Sequence, residues 1–150
     1  MVNIRPLSID DLPAAKDLIL QLAKATGSNF HIRPGQLEEI FRHMQQHPEI
    51  YLSLVAEQDG EVVGLLSLLF YQSWFHAGGT ALINELIIDQ RMRNRGIGAL
   101  LVEAAVIEAK RRGMDEIEVG TEQDNDGAQR FYRRCGFDLT YVLLGMDFDR

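Results

Sequence analysis

The 150-residue sequence predicts an α/β fold, a mixed sheet with helices on both faces. Three observations carry that expectation. Strand-patterned and helix-patterned segments follow one another in the order β-α-α-β-β-β-α-β-α-β. The helix that begins at Ile97 is apolar nearly all round, as suits a helix lying on a sheet. The chain is 46% apolar and 25% charged, the balance of a globular domain large enough to bury a core without staples.

Val2 to Leu7 has short strand character. Ser8, with Asp11 three residues later, forms a capping-box pattern opening a helix whose apolar face is Leu12, Ala15, Leu18, Ile19 and Leu22. Leu37, Ile40, Phe41 and Met44 mark a second helix, which His47-Pro48 ends. Ile50 to Glu57 and Glu61 to Tyr71 are β-rich runs, and Asp59-Gly60 between them signals a hairpin. Thr80 to Asp89 is the next strand. A helix from Ile97 to Arg112 follows, its basic end placed where the helix dipole favours cations and Gly113 stopping it. Asp115 to Thr121 is a strand. A short helix from about Asp126 carries Ala128, Phe131, Tyr132 and Cys135 on one face, and Phe137 to Phe148 closes the chain as β structure.

No repeat, linker or biased tract divides the chain, so residues 1–150 read as one domain. Asp10, Asp11 and Lys16 interrupt any signal-peptide layout, and no apolar run is long enough to cross a bilayer. Cys135 stands alone, which excludes an internal disulfide framework and a multi-cysteine metal site. The net charge of −7 disfavours a nucleic-acid partner. A cytoplasmic protein without a membrane partner is the expectation.

Two segments carry chemistry. The first is Arg93-Asn94-Arg95-Gly96-Ile97-Gly98, between the strand residues Leu86 to Ile88 and the apolar helix. Such a junction aims backbone N–H groups and the positive end of a helix dipole at one spot. It suits a pyrophosphate, with Gly96 and Gly98 allowing close approach, or is simply a glycine-bearing turn that starts a helix. It is neither a P-loop nor G-x-G-x-x-G. The second is Asn125-x-x-Ala128-x-x-Phe131-Tyr132-x-x-x-Gly136-Phe137. From pattern alone, Tyr132 fits a core aromatic sharing a stripe with Ala128, Phe131 and Cys135.

Together, Arg-x-x-Gly-x-Gly after a strand and the Asn…Ala…Phe-Tyr…Gly-Phe string about thirty residues on resemble the Gcn5-related N-acetyltransferase (GNAT) superfamily, and the element order resembles it along essentially the whole chain. The resemblance implies a mostly antiparallel, splayed sheet and transfer of an acetyl group from acetyl-CoA to an amine by direct attack, with no metal. It places the pantetheine arm along the backbone of Leu86, Ile87 and Ile88, and the pyrophosphate on Arg93, Asn94, Arg95, Gly96, Ile97, Gly98 and Ala99. Asn125 matches the asparagine that contacts the cofactor arm. Tyr132 matches the tyrosine near the sulfur, where a phenol of pKa about 10 can protonate a thiolate whose conjugate acid lies near 8.5.

A base is also needed for side-chain amines, because freeing the lone pair of an ammonium of pKa about 10.4 costs roughly 4–5 kcal/mol at pH 7. Glu85, opening the strand that faces the cofactor, is the first candidate. Asn84 on the other face and Glu122 at the end of the next strand are the alternatives, and a solvated strand-end carboxylate is the plain reading of each. In the branch that acetylates ribosomal-protein N-termini, a glutamate precedes the motif's asparagine by five positions; here that position is Gly120. The expected acceptor is a small-molecule primary amine. The rival readings are a protein lysine or N-terminal acetyltransferase and a non-catalytic acetyl-CoA sensor. Similar proteins are often homodimers.

Other residues read as structural. His43 and His47 have helical metal-ligand spacing but no third ligand nearby. Cys135 fits a buried, inert thiol. Tyr71, Trp74, Phe75 and His76 form an aromatic cluster suited to an acceptor pocket, a dimer contact or a strand end. Arg130, Arg133 and Arg134 suit a contact with the cofactor's 3′-phosphate or, more simply, exposed solubilising positions.

Overall fold

The computed structural model of the chain describes residues 1–148. Its sheet has five strands in sequential order: β1 (Val2–Pro6), β2 (Tyr51–Gln58), β3 (Glu61–Tyr71), β4 (Thr80–Ile88) and β5 (Glu116–Val119). The first four pair antiparallel, and β4 pairs parallel with β5. The β2–β3 hairpin turns at Asp59 and Gly60, both left-handed at φ 53° and 78°, the conformation an Asp-Gly turn is chosen for.

Four helices cover the two faces: α1 (Leu12–Ala25) and α2 (Gln36–Gln46) on one side, α3 (Ile97–Arg111) and α4 (Asp126–Arg134) on the other. Under α1, Ala15 and Leu18 pack on Val55, Leu65 and Ile87. Under α3, Ile97, Leu101, Val102, Ala105 and Ala109 pack on Leu54, Ala56, Leu66, Leu68 and Phe70. Helix and sheet approach closely there, since a Cβ on Gly64 would stand 2.9 Å from Ile88 Cδ1 and 3.0 Å from Leu101 Cδ1. The helix is less enclosed than its composition predicts: Leu100 and Ile107 lie on its outer stripe in solvent.

The start of α1 shows how the predicted cap is built. One 3₁₀ turn, Ile9–Asp11, precedes Leu12, and the Asp11 carboxylate accepts from the Ser8 N–H at 2.8 Å and the Ser8 hydroxyl at 3.1 Å. Arg5 donates two further bonds to it, at 2.7 and 2.9 Å, and a third to Glu57 at 2.6 Å. The Arg5 guanidinium first, and Ser8 after it, hold the Asp11 carboxyl down at about 2. A carboxyl depressed on folding stabilises the protein above its unfolded pKa near 3.9, and that contribution is lost as pH falls through the folded value. Asp11→Asn is therefore expected to cost about 2 kcal/mol at pH 7 and to flatten the loss of stability between pH 4 and pH 2. Denaturant unfolding across that range checks it; an unchanged acid limb would remove Asp11 from the account.

The end of the chain departs from expectation. Residues 137–148 form no strand among the described residues, and Val142, Leu143, Leu144, Met146 and Phe148 are all at least 80% exposed. Strand propensity needs a partner edge to become a strand. The segment lies instead against the end of β5, with Leu143 beside Gly120 and the Tyr141 phenol raised by the neighbouring Glu116. The accessible surface of 10355 Å² exceeds the roughly 7,700 Å² expected for a compact chain of this mass.

Candidate active site

The site is shaped by two irregularities in β4. On one side, the ladder to β5 runs only from Thr80–Glu116 to Ile83–Val119, while β4 itself continues to Ile88. The sheet thus opens between the two strands beyond Ile83. On the other side, Ser67 pairs with Glu85 but Leu68 pairs with Ile83, which leaves Asn84 as the extra residue of a β-bulge. The bulge resets the alternation of the strand. Ala81 and Ile83 before it and Leu86 and Ile88 after it face the α3 layer, whereas Ile87 packs under α1. Glu85, two residues before Ile87, shares the α1 face, where its Oε1 accepts from the Ser67 hydroxyl at 2.6 Å.

Past Ile88 the chain makes a 3₁₀ turn, Gln90–Met92, capped by Asp89, whose side chain accepts from the Arg91 N–H at 3.0 Å. Arg91 holds the Asp89 carboxyl below the usual carboxylate range. Left-handed residues then curl the loop, Asn94 at φ 62° and Gly96 at φ 80°. Gly96 caps α3, and the first amide bonded back into the helix is that of Leu100, to the Gly96 carbonyl. The N–H groups of Ile97, Gly98 and Ala99 precede that first bond, as at any helix start. A Cβ on Gly96 would meet nothing within 4 Å, so open space lies beside this cap.

The second motif builds α4 and the turn after it. Asn125 caps α4, its Oδ1 accepting from the Ala128 N–H at 3.0 Å. Phe131, Tyr132 and Phe137 stack edge-on in sequence, with ring centroids 5.1 and 5.6 Å apart. Burial pushes the Tyr132 phenol up to about 12, and raises the Cys135 thiol as well. Both groups hold their protons at neutral pH.

An open cleft of about 1970 Å³ joins these parts: Ser67, Asn84, Glu85, Leu86, Glu122, Asn125 and Tyr132 all line it. Ile87, Ile88 and the Arg93–Ala99 loop do not line that cleft. Ile87 and Ile97 are core side chains that have only backbone to offer, and the Ile88 carbonyl already accepts from Arg93 Nε at 3.3 Å. A Cβ on Gly98 would stand 3.3 Å from the Phe131 ring, so this glycine sits where α3 packs on α4.

The aromatic cluster divides. Trp74 and Phe75 are exposed, while Tyr71 donates to Glu118 and His76 Nε2 lies 3.1 Å from Glu116. The bond to Glu118 raises the Tyr71 phenol. His43 and His47 have rings 5.1 Å apart, and no group of three His, Cys, Asp or Glu side chains suited to a metal occurs among the described residues. Arg130, Arg133 and Arg134 are exposed. Ser67 escapes a motif search, although it is the one polar residue in Leu65-Leu66-Ser67-Leu68-Leu69. No described helix is long and apolar enough to cross a membrane.

The sequence matches the acetyltransferase (GNAT) family model over residues 17–137. It is 36% identical to the aminoalkylphosphonate N-acetyltransferase of Salmonella typhimurium, over 93% of this chain and 86% of that protein. It is 28% identical, over 95% of its length, to an uncharacterised N-acetyltransferase of Methanocaldococcus jannaschii, of which the chain spans 63%. The fold superimposes on glucosamine-6-phosphate N-acetyltransferase from Arabidopsis thaliana with a TM-score of 0.85, covering 99% of each chain at 19% identity. The protein belongs to the GNAT family of acetyltransferases.

Proposed function

We propose that the chain, as one cytoplasmic domain, moves an acetyl group from acetyl-CoA to the primary amine of a small molecule by direct attack and without a metal. The observation that carries this reading is that Glu85 and Tyr132 both line the open cleft beside which β4 runs on past its last pair with β5. The Salmonella relative, by its name, acts on an aminoalkylphosphonate. That supports a small alkylamine acceptor. The carboxylates of Glu85, Glu116, Glu118 and Glu122 along the cleft favour a cationic ammonium.

The residues fit acetyl-CoA. The backbone of Leu86 to Ile88 lies past the last β5 pair, so part of its edge is available to the pantetheine arm. The amides of Ile97, Gly98 and Ala99 beside the open space at Gly96 suit a pyrophosphate, with Arg93, Asn94 and Arg95 around it. Asn125 caps its helix with Oδ1, which leaves the Nδ2 hydrogens for the arm. Acetyl-CoA supplies a thioester whose acyl carbon accepts the amine nitrogen as the C–S bond breaks. Glu85 takes the ammonium proton, the Tyr132 hydroxyl delivers its proton to the leaving sulfur, and the second proton that the nitrogen sheds on becoming an amide restores the phenol. A phenol near 12 is a weak acid, but the same burial makes a thiolate lodged beside it more basic, so the two remain matched.

Tyr132→Phe is expected to lower turnover at least about tenfold while acetyl-CoA affinity barely moves. Unchanged turnover would remove the phenol from the mechanism. The function itself is tested by CoA thiol release against 2-aminoethylphosphonate, polyamines, amino sugars, aminoglycosides, amino acids and short lysine- or alanine-ended peptides. Turnover of one small amine well above hydrolysis is the expected result. Turnover of peptides alone would make the acceptor a protein, and silence across the panel with intact acetyl-CoA binding would favour a sensor.

A further inference from the structure

Ser67 is 7% exposed and stands in an otherwise apolar stretch of β3, where packing alone would be served by an aliphatic side chain. Its hydroxyl makes two bonds, and both end on Glu85. Oγ donates to Glu85 Oε1 at 2.6 Å and accepts from the Glu85 N–H at 3.1 Å. The two residues are direct cross-strand partners at the bulge, the point where the alternation of β4 is reset. We propose that Ser67 is the positioning residue for Glu85: it pins the backbone and one carboxylate oxygen together, leaving Oε2 as the atom that meets the acceptor ammonium. The inference rests on the reading of Glu85 as the base. It adds to the machinery a residue outside both sequence motifs, one whose hydroxyl is engaged by Glu85 on both sides.

A side chain that acts only through Glu85 has distinctive kinetics. Its removal matters while the amine needs a base and ceases to matter when the amine is deprotonated in solution. The test uses whichever of the alkylamines 2-aminoethylphosphonate and spermidine is turned over faster. Ser67→Ala is expected to lower kcat about tenfold at pH 7, part of the hundredfold or more that a positioned base contributes. The deficit should close toward pH 10 as an amine of pKa about 10.4 loses its own proton. KM for acetyl-CoA should hold, and Ser67→Thr, which keeps the hydroxyl, should restore the rate. In a Glu85→Gln background, Ser67→Ala should cost nothing further.

A deficit equal at every pH, or one that multiplies with that of Glu85→Gln, would overturn the positioning role while leaving Glu85 as base. A Glu85→Gln variant with wild-type turnover would instead overturn the base assignment itself. Should Ser67→Ala fail to fold, Ser67→Cys, close in volume and a weak hydrogen bonder, takes the same measurements with the same two readings.

Discussion

Glu85→Gln is expected to reduce turnover of an alkylamine acceptor about a hundredfold at pH 7, with KM for acetyl-CoA unchanged. The size follows from the acceptor. An ammonium of pKa about 10.4 hides its lone pair behind roughly 4–5 kcal/mol at neutral pH, and a carboxylate at hydrogen-bond range recovers part of that in the transition state. Glutamine keeps the shape and can still accept from the Ser67 hydroxyl, so the bulge and the acetyl-CoA side are spared. It cannot take a proton. An acceptor with an α-amine near pKa 8 pays only about 1 kcal/mol, so its deficit in the same variant should be much smaller. Steady-state rates with 2-aminoethylphosphonate and with an alanine-ended peptide, across pH 6.5 to 10, separate the cases. Equal deficits for both acceptors would mean that Glu85 shapes the cleft without handling the proton, and attention would pass to Glu122, which lines the same cleft.

How the sequence yields this site differs from element to element. The helices and the hairpin were legible because they are written in local patterns: the Ser8–Asp11 box, the Asp59-Gly60 turn, the glycine that starts α3. The two motifs could be placed on a strand–loop–helix junction and a capped helix for the same reason. The choice between Asn84 and Glu85 could not be made by counting. A strand with strict alternation would send them to opposite faces, and the bulge that makes Asn84 the extra residue exists only in the pairing of β4 with β3. Ser67 stayed hidden for a related reason. A lone serine among leucines says nothing about what lies opposite until the register is known. The packing of Gly98 on the Phe131 ring is equally hidden, because that ring comes from the following helix. The closing strand expected over Phe137 to Phe148 is absent among the described residues, since a strand is made by its partner and none of the five strands takes it.

Gly96→Val is expected to abolish acetyl-CoA binding, with affinity at least about a hundredfold weaker by calorimetry. Two effects coincide at this residue. Its φ of 80° is left-handed, a conformation that costs an ordinary side chain about 1–2 kcal/mol and a β-branched one more. Its missing Cβ also faces open space where the amides of Ile97, Gly98 and Ala99 begin α3, so valine would put two methyl groups beside the donors proposed for the pyrophosphate. Gly96→Asn separates the two effects, because asparagine tolerates the left-handed region, as Asn94 does two residues earlier at φ 62°. That variant should unfold within a few degrees of the wild type and still bind acetyl-CoA at least about tenfold more weakly, since its side chain occupies the space even though its backbone is comfortable. Recovery of full affinity in Gly96→Asn would mean that glycine serves the turn alone. Tight binding by both variants would put the pyrophosphate elsewhere and detach the loop from the cofactor altogether.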